Sequence, residues 1–433
     1  MASTRFIVLS AIASVTLACT AAGASDAETP LAKAEVVALA PQAPAAVQSP
    51  APNTAPPEAP QASEPLPPYS FPWNDGLFAS AAGYAGVKNV CFPCQKSVFL
   101  DVCGICGKYQ VKAAIQDGPA PLVVLLLGIG GRAEGDFAKL WPSWYYERGY
   151  HVLTFDSTFV QDFNARTHLG VGGNVWAETE YVKNIIDSFL HHGCISGRVT
   201  KIGVVGMSYG GVQALILGTL AADKKLPFEI AAIQAYSPPI RLEQSARIID
   251  GWYAESYGKY TLVELFALQK MRPDPSNPDS PIPDCKLKAA VSASFRYTLP
   301  SLVAYSDTEY HLNKLPKGDE FTDRYVREDY ASKWGFIKFG YGMSYPYWQN
   351  KLGLPSLDPL IHAADLPILI EKQPATSEVV LAQDDPLNSA SDMASFKAFA
   401  TGKRVTILPN GGHLGFVNVP WTRAKLMTLF DAK

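Results

Sequence analysis

The stretch "VTKIGVVGMSYGGVQALILG" (Val199 to Gly218) joins an apolar run of strand length to a helix-like pattern across Gly206-Met207-Ser208-Tyr209-Gly210. A buried strand that passes at once into a helix belongs to layered α/β architectures. The corner has a steric requirement. Residues two before and two after the serine crowd the neighbouring backbone, and glycine, lacking Cβ, relieves both contacts. Such a corner lifts the serine hydroxyl above the strand end, where the first amides of the helix point at any developing negative charge. An ordinary strand-to-helix turn would show the same five residues. The placement between a buried strand and a helix favours a nucleophile.

The same alternation runs along much of the chain. "PLVVLLLG" (Pro121 to Gly128), "YHVLTFD" (Tyr150 to Asp156), "FEIAAIQAYS" (Phe228 to Ser237), "SEVVLAQDD" (Ser377 to Asp385) and "RVTILP" (Arg404 to Pro409) read as strands. Between them "FAKLWPSWYYERG", with Pro142 as a break, and "AETEYVKNIIDSFLHHG" read as helices, as do stretches near 391–401 and 421–431. Buried apolar strands alternating with helices predict a mostly parallel sheet covered by helices on both faces. Residues 239–360 interrupt the pattern with many aromatics and a proline cluster at 273–283, which predicts a largely helical insert acting as a cap or as a second packed layer. The expected organisation is an α/β core in two parts, 113–238 and 361–433, around that insert, preceded by a Cys-rich hairpin segment at 73–112.

A serine hydroxyl needs a base to attack at neutral pH. Of the seven histidines, His413 in "PNGGHLGF" sits directly after a strand, where two glycines let a loop turn the imidazole back over the sheet. A base needs an orienting acid. Asp385 in "AQDDPLN" is the first choice, with Pro386 turning the chain away, and Asp384 the second. Some related folds place the acid after the strand that follows the serine helix, but "AYSPP" there carries none. Backbone amides would complete the site. Tyr209 follows the serine, and the glycine-rich "LLLGIGGR" offers Ile129 or Gly130. That loop lacks the Lys-Ser/Thr ending of a phosphate loop. The chemistry needs no metal and no organic cofactor.

The order Ser208, Asp385, His413, with the Gly-x-Ser-x-Gly turn, resembles the α/β-hydrolase superfamily over about 110–238 and 361–433. "GGHLGF" with "QDDPL" resembles its EMB8/YheT-like branch, which implies an esterase or acylglycerol-lipase-like enzyme acting on a small-molecule ester. Many members carry His-Gly at the oxyanion strand end, where this chain has Leu127-Gly128. A peptidase or amidase of the same fold, and a non-catalytic surface binding protein on this scaffold, are the other readings.

The N-terminus sets the expected compartment. Arg5, the apolar run Phe6 to Ala18 and "AGA" at Ala22 to Ala24 have the layout of a signal peptide over residues 1–24. "TLAC" ending at Cys19 resembles a lipoprotein box, so the chain is either released or tethered to a membrane surface through lipidated Cys19. The following linker, 25–72, is rich in Ala and Pro. Residues 41–68 hold ten prolines and seven alanines, a composition that favours an extended spacer of about 3.1 Å per residue. Net charge is −3 and charged residues make up 18%, which argues against a nucleic-acid partner. Oligomeric state is not legible. Cys91, Cys94, Cys103 and Cys106 form C-x2-C-x8-C-x2-C. In an oxidising compartment the nested pairs 91–106 and 94–103 suit disulfides in one hairpin register. A structural zinc on the same four thiolates is the alternative. Cys194 and Cys285 are left to pair with each other.

Overall fold

The computed structural model describes residues 65–83, 87, 90–256, 259–260, 282–319 and 322–431. The expected signal peptide, Cys19 and most of the linker lie outside the described residues.

Among the described residues eight strands make one sheet: β1 (Lys96–Asp101), β2 (Lys108–Ala114), β3 (Ala120–Leu126), β4 (His151–Thr154), β5 (Val199–Met207), β6 (Ala232–Tyr236), β7 (Ser377–Ala382) and β8 (Val405–Leu408). Their spatial order is β1-β2-β4-β3-β5-β6-β7-β8. β2 pairs antiparallel with both β1 and β4, and every pairing from β4 to β8 is parallel. Successive side chains of a strand point to opposite faces. In β3, Leu122, Val124 and Leu126 therefore enter one core layer while Val123 and Leu125 enter the other. Both faces are covered, which is why these strands read as unbroken apolar runs. With this strand order and the corner after β5, the chain has the α/β-hydrolase fold.

The helices are α1 (Gly76–Ala82), α2 (Phe137–Glu147), α3 (Gln161–Thr167), α4 (Val175–His191), α5 (Tyr209–Ala222), α6 (Leu242–Ser256), α7 (Asp284–Arg296), α8 (Leu299–Glu309), α9 (Asp323–Ala331), α10 (Phe336–Phe339), α11 (Tyr345–Leu352), α12 (Asp358–His362), α13 (Leu366–Glu371), α14 (Ala390–Ala400) and α15 (Pro420–Met427). One π-helical turn, Gly340–Ser344, joins α10 to α11. α5 is buried from Tyr209 to Leu220, so it is apolar all round rather than striped. Among the described residues between β6 and β7 there are helices and no strand.

Two expectations change. Pro142 does not break α2, which continues through it. Proline cannot donate to the carbonyl four residues back. The Gln95 side-chain amide donates to that carbonyl, Ala138 O, at 3.2 Å. The second concerns the cysteines. All six among the described residues are free, and no three metal-ligating side chains converge among the described residues. The reason is register. The nested pairs required the hairpin tip to fall between Cys94 and Cys103, but β1 fills that interval and pairs with β2 as Asp101↔Lys108. Cys103 and Cys106 thus lie in the turn and Cys91 and Cys94 beyond the far end of β1. Six residues of strand, at about 3.3 Å each, separate the two sets. Cys194 lies against His192 Nδ1 at 2.9 Å and Cys285 against the Tyr260 hydroxyl at 3.1 Å, so these do not pair either.

Candidate active site

Ser208 occupies the corner between β5 and α5 at φ 52°, ψ −119°. A non-glycine residue pays strain for positive φ and keeps it only where the surroundings over-determine the backbone. Those surroundings are close. A Cβ on Gly206 would lie 2.1 Å from Gly210 O, and one on Gly210 would lie 2.3 Å from Leu126 O. The Ser208 amide donates to Tyr236 O at 2.8 Å, fastening the corner to β6.

The structure brings Ser208, His413 and Asp385 together although they are far apart in sequence. His413 Nε2 lies 2.9 Å from Ser208 Oγ, and its Nδ1 lies 2.8 Å from Asp385 Oδ2. The second carboxylate oxygen, Oδ1, accepts from Leu387 N at 2.9 Å. A carboxylate at Nδ1 holds the ring proton there and leaves Nε2 as the acceptor for the serine hydroxyl. All three residues are buried, with exposures of 5%, 1% and 3% for Ser208, His413 and Asp385. The Phe295 ring of α7 meets the imidazole edge-on, with centroids 5.6 Å apart.

Asp384 faces elsewhere. Its carboxylate accepts from Gly411 N at 3.2 Å and Gly412 N at 2.8 Å, so it braces the loop that carries His413. Burial raises its pKa from the ordinary value, against the pull of those two amides.

The glycine-rich loop after β3 lies beside the serine, where a Cβ on Gly128 would sit 3.2 Å from Ser208 Cβ. A Gly131 N to Gly128 O bond of 3.0 Å closes it into a turn with Ile129 and Gly130 at the centre. Asp156 fastens its far side, accepting from Ala133 N at 2.7 Å and from Arg132 at 2.8 Å. Ile129 lines the cavity with Ser208 and Tyr209, whereas Gly130 turns toward Thr298. Of the two loop residues expected as donors, Ile129 is thus the better placed. Among the described residues, no hydrogen bond engages the amides of Ile129 or Tyr209.

Ser208 opens into a cavity enclosing about 720 Å³ of atom-free space, solvent at its mouth included. Leu242 and Ile249 of α6, Phe295 of α7, Phe336 and Phe339 of α10, and Phe159 line it, together with Glu243 and Ser245 of α6.

Glu178 was not singled out from the sequence. Its signal was a glutamate on the apolar face of α4, in register with Val175, Val182 and Ile185. Its carboxylate is fully buried and accepts from Thr158 Oγ1 at 2.6 Å, Tyr209 Oη at 2.8 Å and Gly173 N at 2.8 Å. No cation pairs with it among the described residues. Desolvation raises its pKa, opposed by those three donors. Glu178 therefore ties the residue after Ser208 to two loops beside the cavity.

No family model matches the chain, and no curated protein does. Among solved structures it is similar to an esterase from Pyrococcus furiosus at 14% identity, covering 77% of this chain and 89% of that one with a TM-score of 0.40. It is similar to Est1E from Butyrivibrio proteoclasticus at 13% identity, covering 78% and 99% with a TM-score of 0.40. A proline iminopeptidase from Mycobacterium smegmatis stands at 12% identity, 78% and 98% coverage and a TM-score of 0.40. The fold assignment rests on the strand order and the corner after β5, not on these likenesses.

Proposed function

We propose that the protein is a serine hydrolase that cleaves carboxylic esters through an acyl-enzyme. The observation that carries this reading is the continuous hydrogen-bond chain Ser208 Oγ, His413 Nε2, His413 Nδ1, Asp385 Oδ2. Ser208 Oγ attacks the acyl carbon as His413 takes its proton. Asp385 holds the imidazole tautomer and stabilises the imidazolium. The amides of Tyr209 and Ile129 receive the oxyanion, each such donor contributing about 3 kcal/mol to the transition state. The imidazolium then protonates the departing alcohol, and water activated by the same base releases the acid.

The apolar cavity wall favours an apolar acyl or alkyl group, and α6, α7 and α10 serve as the cap that excludes water from it. The likeness of "GGHLGF" and "QDDPL" to EMB8/YheT-like proteins supports an ester over an amide. The leader over residues 1–24 is assigned to export, with release or a Cys19 tether as its two outcomes.

Fluorophosphonate labelling, followed by hydrolysis of p-nitrophenyl esters of rising chain length, tests the reading. Labelling of the native chain but not of Ser208→Ala is expected. Equal labelling of the two, or turnover of acyl-naphthylamides in preference to every ester, would sink it.

A further inference from the structure

The loop that carries His413 has no regular structure of its own. Gly411, Gly412 and Leu414 all have positive φ, and four successive amides are taken by side chains from elsewhere. Gly411 N and Gly412 N donate to Asp384, His413 N donates to Ser80 Oγ at 2.7 Å, and Leu414 N donates to Ser237 Oγ at 3.4 Å. The His413 amide is thus held by a residue 333 positions away.

Ser80 sits on α1, and its hydroxyl donates in turn to Gly76 O at 2.6 Å. α1 and the histidine loop meet backbone to backbone. A Cβ on Gly412 would lie 2.1 Å from Gly76 O, so any side chain there would push the two apart. Further contacts flank this one. Tyr69 Oη donates to Asn410 O at 2.7 Å, and Asn410 Nδ2 donates to Trp73 O at 2.8 Å. α1 also packs on α7 through Leu77, Phe78, Leu287 and Val291. α7 is the helix whose Phe295 lies against the imidazole. Residues 69–83 therefore support the histidine from its backbone and from its ring.

We infer that Ser80 is a positioning residue for His413, and that residues 69–83 form a strap that fixes the base against Ser208. This rests on His413 acting as the base in the proposed hydrolysis. Asp385 sets the rotation of the imidazole but not the place of its Cα. The Ser80 bond holds the peptide from which the side chain springs. A shift of about 1 Å in a reacting group costs on the order of 100-fold in rate.

The test uses the full chain and a p-nitrophenyl ester that the native protein hydrolyses. Ser80→Ala is expected to lower kcat by about 10- to 100-fold with KM held within about twofold. On a His413→Ala background the same substitution should change the residual rate by less than about twofold, because its effect passes through the imidazole. A kcat for Ser80→Ala within about twofold of native overturns the inference, as does an equal loss on both backgrounds. If thermal melting shows that Ser80→Ala does not fold, Tyr69→Phe replaces it. This milder cut in the strap should lower kcat by about two- to fivefold at unchanged KM, and an unchanged kcat overturns the inference. A native chain that neither labels with fluorophosphonate nor hydrolyses any ester overturns the hydrolase reading and this inference with it.

Discussion

The two loops that bring Ser208 and His413 together are built by opposite means. The corner at Ser208 is held by its own neighbours. Gly206 and Gly210 close on each other and on β3, and one amide bond reaches β6. The loop at His413 is held from outside, its amides taken by Asp384, Ser80 and Ser237. The first is local geometry that a five-residue pattern specifies. The second is a convergence of remote segments, and no short pattern encodes it.

The largest break in this comparison is chemical. Ser208→Ala should cost about 10⁴- to 10⁶-fold in kcat while leaving the fold intact, measured by ester turnover and thermal melting. The two adjacent aspartates come next and separate the roles on either side of the loop. Asp385→Asn should lower kcat by about 10³- to 10⁴-fold with little change in stability, because an amide at Nδ1 favours the wrong tautomer. Asp384→Asn should cost less activity but more stability, about 1–3 kcal/mol by chemical denaturation, because the new NH2 cannot accept and leaves one of the two glycine N–H groups without its partner. Equal effects of the two would erase the distinction between orienting acid and loop brace.

Acid should act on the histidine side. His413 must be neutral to take the serine proton, so kcat/KM should fall on acidification, and a flat profile would remove His413 as the base. The smallest effect lies under the corner. Burial raises the pKa of Glu178 from 4.5, so folding favours its protonated form. That contribution is fully present below 4.5 and is lost as pH rises through the raised native value. Glu178→Gln should abolish this slope, and the difference in melting temperature between the two proteins should shrink or reverse as pH rises above 4.5. Parallel melting curves across that range would mean that the carboxyl does not titrate with folding.

What the sequence made legible follows the same division. The expected strands at 121–128, 150–156 and 377–385 fall on β3, β4 and β7, each ending two or three residues earlier than expected, where pairing stops. Fully buried strands announce themselves as apolar runs. Ser208, His413 and Asp385 were legible because each stands at a strand end beside glycine or proline. The strand expected from Phe228 begins only at Ala232, where pairing with Gly203 begins. The cysteine pairing failed because spacing does not reveal register, and β1 alternates too weakly to show itself, with Leu100 its one fully buried residue. Ser80 carried no signal at all, since a serine in "GLFASAAG" looks like any small helix residue. Glu178 carried one, a carboxylate on an apolar stripe.

The chain leaves the sheet after β6 and returns at β7, and these strands are direct neighbours, with Ile233 opposite Ser377. The pair is parallel, so the chain leaves at Tyr236 and re-enters opposite Ile233, three residues back along the sheet at about 3.3 Å each and one strand spacing of about 4.8 Å across it. A segment whose ends the sheet holds at a fixed short separation can be lengthened, shortened or exchanged at a loop-closure cost that grows only logarithmically with its length. Residues 238–376 can accordingly be treated as a cassette, with Ser237 left in place to hold Leu414 N. The sheet keeps Ser208 and Asp385 in place while a different excursion, spliced at the same two strands, presents a different mouth to the solvent, so long as a ring in the place of Phe295 still meets His413.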